Sequence, residues 1–165
     1  MTALSSTNNA DPRATAQKNG AARMRHFQTL DRAAVDENAG ILLVTASETS
    51  YQSAEIAMRL EGEYVVLSAS YGAFEIALRL RRREFTRALT HVQPIDGLHT
   101  SRQVGTGNAF LAVGLHSNGS LIMRPTIVGD ATGFTCLNLR LTPDARQTLN
   151  DWLGIGAAAD SEDGG

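Results

Sequence analysis

FEIALRLRRREFTRALTHV, residues Phe74 to Val92, holds the change of period on which the fold turns. Phe74, Ile76, Leu78 and Leu80 alternate with Glu75, Ala77 and Arg79, the two-residue period of a half-buried strand. Past Leu80 the spacing changes. Phe85, Ala88, Leu89 and Val92 fall at i, i+3, i+4 and i+7, one stripe of a helix that stops before Pro94. A strand therefore runs into a helix with almost no connection.

The residues upstream read as strands too. Ile41 to Val44 is a short apolar strand, and Ala54, Ile56, Met58 and Leu60 alternate with Glu55, Ala57 and Arg59. Glu61-Gly62 turns the chain back into Tyr64 to Leu67. The second half repeats the order. Phe110 to Leu115 is a strand, Asn118-Gly119 a hairpin turn, and Leu121 to Val128 the return, with Pro125 marking an edge position or a bulge. Leu137, Leu139 and Leu141 alternate, and Ala145, Leu149, Trp152 and Leu153 form a helical stripe closed by Gly154. Leu78-Arg79-Leu80 and Leu139-Arg140-Leu141 occupy equivalent places, each ending a strand that leads into a helix.

The expected class is α+β, with two strands-then-helix repeats forming antiparallel sheets packed with helices. The pseudo-repeats cover about 41–93 and 104–154 of one domain spanning 21–154. Residues 1–20 lack apolar periodicity and are expected to be a disordered tail; 155–165 is a second, acidic one. Met24, Phe27 and Leu30 recur every third residue and suggest a short helix within Ala21 to Ala34.

Composition narrows the function classes. The net charge is −2, and ten arginines balance ten carboxylates between Gly40 and Gly154. No global field draws the chain to nucleic acid or membrane. Lys18 is the single lysine, a bias that fits arginine-based recognition or a GC-rich genome. The lone Cys136 excludes an internal disulfide, as in a reducing compartment, and the cytoplasm is the expected location. Asp11 is the only acid among the first thirty residues, a composition that also fits an organellar transit peptide. No apolar run approaches the ~20 residues of a membrane helix.

The duplicated order of strands and helix, over Ile41 to Leu153, resembles the Whirly family of single-stranded nucleic-acid-binding proteins. That resemblance implies two roughly perpendicular sheets held by helices. It rests on element order, because the family's lysine-rich, glycine-containing motif has no counterpart here.

The residues themselves point to an anion site. Arg81, Arg82 and Arg83 crowd a helix start, where the backbone dipole is already positive. The matching point in the second half, Thr142-Pro143-Asp144, obeys the capping rules. An anion docked on the arginines would offset the repulsion; solvation, or pairing with Glu61, Glu63 and Glu84, is the competing reading. Asp160 to Asp163, folding back, is a third. Arg87 extends the cluster along the helix. Arg59, Arg79, Arg124 and Arg140 occupy polar-facing strand positions and form either a stripe or cross-strand ion pairs.

Arg102 precedes Gly105-Thr106-Gly107, which reads as a turn rather than a phosphate loop. Tyr51, Tyr64, Tyr71 and Phe110 are the candidate stacking surfaces, while Phe74, Phe85, Phe134 and Trp152 read as core. His91, Asp96 and His99 complete no metal site, and Cys136 reads as a small buried filler. The expectation is a non-enzymatic binding module with no catalytic residues, metal or cofactor. It would bind single-stranded DNA or RNA through Arg79, Arg81, Arg82, Arg83, Arg87, Arg59, Arg140, Arg124, Arg102 and Tyr71. The alternative is an assembly or accessory factor whose arginines bind acidic protein surfaces. Open sheet edges make a homo-oligomer the expected state.

Overall fold

The computed structural model describes residues 26–48, 52–94, 102–130 and 133–156. Its first two strands, β1 (Gln28–Leu30) and β2 (Arg32–Asp36), are separated by Asp31 alone and belong to different sheets. This corrects the helix expected over Ala21 to Ala34. Leu30 is fully buried beside Leu141, with Gln28 to Leu30 laddered in parallel on Leu139 to Leu141. One residue later the Asp31 amide donates to the Thr45 carbonyl at 3.1 Å, and the chain enters the other sheet. Three apolar positions cannot offset the cost of nucleating an isolated helix, whereas two existing sheets offer ready ladders. Met24 lies outside the described residues.

The first sheet is an antiparallel meander, β2-β3-β4-β5-β6, with β3 Ile41–Thr45, β4 Ala54–Glu61, β5 Tyr64–Tyr71 and β6 Phe74–Arg81. Ala54, Ile56 and Met58 on β4, Val65, Leu67 and Ala69 on β5, and Ile76, Leu78 and Leu80 on β6 are buried at every second position, as the alternation requires. Helix α1 (Arg82–His91) follows β6 with no intervening residue.

The second sheet comprises β7 (Arg102–Gly105), β8 (Ala109–Leu115), β9 (Leu121–Val128), β10 (Phe134–Cys136) and β11 (Leu139–Leu141), and α2 (Pro143–Leu153) closes the order. The strands run β1-β11-β9-β8-β7, with β10 also on β9. Because β1 joins in parallel, this sheet is mixed, where an antiparallel one was expected.

Pro125 sits neither on an edge strand nor in a bulge. It lies in central β9, opposite Leu111 in an unbroken register with β8. Its far side is where β10 ends and β11 begins, two short strands that share one register against β9. A proline has no N–H to donate, so the ladder lapses there. Leu137 still donates to the Pro125 carbonyl at 3.2 Å. The strand expected over Leu137 to Leu141 therefore begins only at Leu139, and a separate strand, β10, precedes the break set by a residue on its neighbour. At the other turn Gly105 is obligatory: its φ is +127°, and a Cβ there would lie 2.5 Å from the Ala109 carbonyl oxygen.

Inner faces of both sheets and both helices share one core. Phe85, Ala88 and Leu89 enter it from α1, and Ala145, Leu149 and Leu153 from α2. The α+β class is as expected: two sheets and two helices, each helix following a set of strands. Two aromatic assignments change. Phe74 is 42% exposed because it sits at the start of β6, beyond the reach of the opposing sheet, and Phe134 is 58% exposed because the register on β9 turns it to the face opposite Leu139 and Leu141. Phe85 is buried and Trp152 packs partly against the core.

The crossing between the sheets is pinned at Asp31, which accepts from the Ser47 amide at 2.6 Å and the Ser47 hydroxyl at 2.5 Å. These bonds favour the carboxylate and hold the Asp31 pKa below its ordinary 3.8. A depressed acid contributes stability that is complete above its unfolded value and lost as pH falls through its folded value. Asp31→Asn should therefore lower the urea midpoint at neutral pH and match wild type in strong acid. An equal deficit at both pH values would show that the carboxylate charge is not what holds the crossing.

Candidate functional site

Arg81 is at once the last residue of β6 and the N-cap of α1, with extended backbone angles of −68° and 124° and no capping side-chain hydrogen bond. The Arg82 amide is satisfied by the Glu63 carbonyl at 2.8 Å, across the β4–β5 turn. At α2 the same task is done by side chains: Thr142 Oγ1 accepts from the Ala145 amide, Pro143 opens the helix and Asp144 stands in the first turn. The two helix starts thus differ as their sequences suggested. Leu80 and Phe85 are both fixed in the core, so the residues between them, Arg81 to Glu84, are all directed to solvent.

These arginines line an open groove of about 990 Å³. One wall is α1, carrying Arg81, Arg82, Arg83 and Arg87; the β4–β5 turn at Gly62 and Glu63 forms another; Leu153 to Ile155, at the end of α2, complete it. All four guanidinium groups are exposed, and among the described residues none of them forms an ion pair. Glu63 and Glu84 line the groove without reaching them. Four cations against two carboxylates, beside an uncapped helix start, make a net positive site. Tyr64 stands beside Arg81, with the Arg79 guanidinium 4.1 Å and that of Arg81 6.0 Å from its ring centre. At 4.1 Å the Arg79 guanidinium covers one face of the ring in a cation–π contact.

The remaining candidates go elsewhere. Arg59 pairs with Glu61 at 2.9 Å, and Arg79 reaches the same carboxylate at 3.8 Å on the outer face of the first sheet. Arg124 and Arg140 belong to the second sheet, so the four form no common stripe. Arg124 Nε donates to Asn138 Oδ1 at 2.7 Å, and the Arg140 guanidinium lies 5.8 Å from the Phe27 ring with its Nε buried and unbonded. Arg102 stands at the other end of α1, donating from Nε to the His91 carbonyl at 3.3 Å. Tyr71, paired with Phe74 across a hairpin, packs partly on the core.

A second group, unnoticed in the sequence as a set, is assembled by the register of the second sheet. Phe110, Thr126 and Cys136 stand in one row, Arg124 in the next, and Phe134 beyond. The period-2 rule gives this face only once the β10 register is known. Cys136 is half-buried rather than a buried filler; burial pushes its thiol above the ordinary value, while Arg124 pulls the other way. Among the described residues no three His, Cys, Asp or Glu side chains gather as metal ligands, and Tyr51, Asp96 and His99 lie outside them. No described helix is long and apolar enough to cross a membrane. No protein-family model, curated protein or solved structure matches this chain.

The missing cap is directly testable. Arg81→Asp supplies the capping acceptor that the helix start lacks and removes a cation beside its first turn, and should raise stability by about 1 kcal/mol in urea denaturation. A variant no more stable than wild type would mean that the cationic start costs the fold nothing.

Proposed function

We propose that the chain is a non-enzymatic module that binds single-stranded nucleic acid, its phosphates seated on Arg81, Arg82, Arg83 and Arg87. One observation carries this: four exposed guanidinium groups share a groove at an uncapped helix start with no ion-pair partner among the described residues. The arrangement spends fold stability to concentrate positive charge, as a binding site does. Single strands also need surfaces on which bases stack. Tyr64 lies beside Arg81, one of the groove residues, and Phe110 and Phe134 lie with Arg124 on the second sheet. Phe74 and Phe134, both exposed, add to the aromatic surface on which bases can stack.

The chain's own acidic residues Asp160, Glu162 and Asp163 lie outside the described residues and are a candidate competitor for the arginines by charge and by closeness in sequence. Ile155 lines the groove, and Asp160, Glu162 and Asp163 follow within eight residues of it. On this reading the tail occupies the arginines until a polyanion displaces it.

Anisotropy with a labelled single-stranded oligonucleotide at two salt concentrations tests both statements. Affinity should fall steeply with salt, and Arg81→Ala/Arg82→Ala/Arg83→Ala should reduce the log–log slope by roughly 2, from about 0.7 per phosphate contact. Deleting 157–165 should tighten binding. No binding by the full chain or the truncated one at low salt would end the nucleic-acid reading, and unchanged affinity on truncation would end the tail's role.

A further inference from the structure

The outer face of the first sheet is uncovered among the described residues, and its charges are arranged in an order that only a few partners can match. Three rows cross the strands at the register of the ladder. The middle row, Ala34, Leu43, Ala57, Ser68 and Ala77, is small or apolar throughout, with Leu43 38% exposed. On one side stand Asp36, Ile41, Arg59, Val66 and Arg79. On the other stand Arg32, Thr45, Glu55, Ser70 and Glu75. Each charged strand thus carries opposite signs four residues apart: Arg32 and Asp36 on β2, Glu55 and Arg59 on β4, Glu75 and Arg79 on β6. The outer rows are about 13 Å apart at the usual strand rise.

We propose that this face is the interface for a second copy of the chain, packed sheet on sheet about a two-fold axis lying along the middle row. Such an axis reverses the strand direction and keeps the position across the sheet. Arg59 then faces the partner's Glu55, Arg79 the partner's Glu75, and Asp36 the partner's Arg32, while the middle row meets itself. Small side chains there let the two backbones approach, as sheets packed face to face must. A polyanion is repelled by the Glu55–Glu75 row and a polycation by the Arg59–Arg79 row. The matching partner must carry both signs in inverse order at the same spacing, as this chain does. Within the described residues the Glu55 carboxylate has no hydrogen bond or ion pair, the Glu75 carboxylate accepts only from the Ser68 hydroxyl at 2.6 Å, and Glu61, which bonds one edge of Arg59, leaves other donors of that guanidinium free. This inference is independent of the arginine groove.

Sedimentation equilibrium of the full chain, with two charge-reversed variants, tests it. The wild type should have at least twice the 17.6 kDa chain mass. Arg59→Glu/Arg79→Glu makes all four central positions acidic, and Glu55→Arg/Glu75→Arg makes them all basic; each alone should show half the wild-type mass. Mixed in equal amounts they should regain the wild-type mass, because every contact across the axis is again between opposite charges. Recovery on mixing also shows that both variants fold. Should one fail to fold, Glu55→Gln/Glu75→Gln is the milder variant and should weaken association several-fold, more so at low salt than at high. A wild-type mass of one chain, variants that keep the wild-type mass, or a mixture that stays at half mass would each overturn the proposal.

Discussion

The joint between β6 and α1 has no slack. Leu80 and Phe85 are both held in the core, and the strand becomes a helix within the four residues between them. No linker is available to move Arg81, Arg82 and Arg83 away from the helix start. Their exposure and their crowding therefore follow from packing rather than from any attraction between them. Like charges beside a positive helix end are costly at a few tenths of a kcal/mol each or more, screened by solvent. A core of two sheets and two helices is large enough to carry that cost.

The two halves resolve the same problem differently. At α2, Thr142 and Asp144 satisfy and neutralise the helix start, and the segment has the chemistry of a purely structural joint. At α1 the backbone of the β4–β5 turn supplies an acceptor through Glu63, and the side chains are left to face outward. The turn that accepts from the Arg82 amide is thereby also a wall of the groove. The last residues of α2 form another wall, so both structural halves meet at the cationic site.

Much of the fold is legible in the sequence, because alternating apolar residues and a clean shift of period mark β3 to β6, α1, β8, β9 and α2. What escapes is decided by long-range pairing. Leu30 looks helical by spacing, yet a parallel ladder with Leu141 and the crossing at Asp31 make strands of its surroundings. Pro125 looks peripheral, yet the break between β10 and β11 accommodates it at the centre of a sheet. The arginine cluster is visible because it violates a local rule. The rows of opposite charge on the first sheet are not, because β2, β4 and β6 come into register only through β3 and β5. Phe74 alternates like a core residue, and only its place at a strand start leaves it in solvent, whereas Phe134 is turned outward by a register on β9 that its own sequence does not reveal.

The central claim is that the guanidinium groups at this joint are the ones that meet a polyanion. Arginine Nε–Hε resonances, followed by NMR as a short single-stranded oligonucleotide is added, report on each of them separately. The shifts should concentrate on Arg81, Arg82, Arg83 and Arg87 and leave Arg32 and Arg102 in place. Perturbation spread over all the arginines alike, or confined to those outside the groove, would contradict the account.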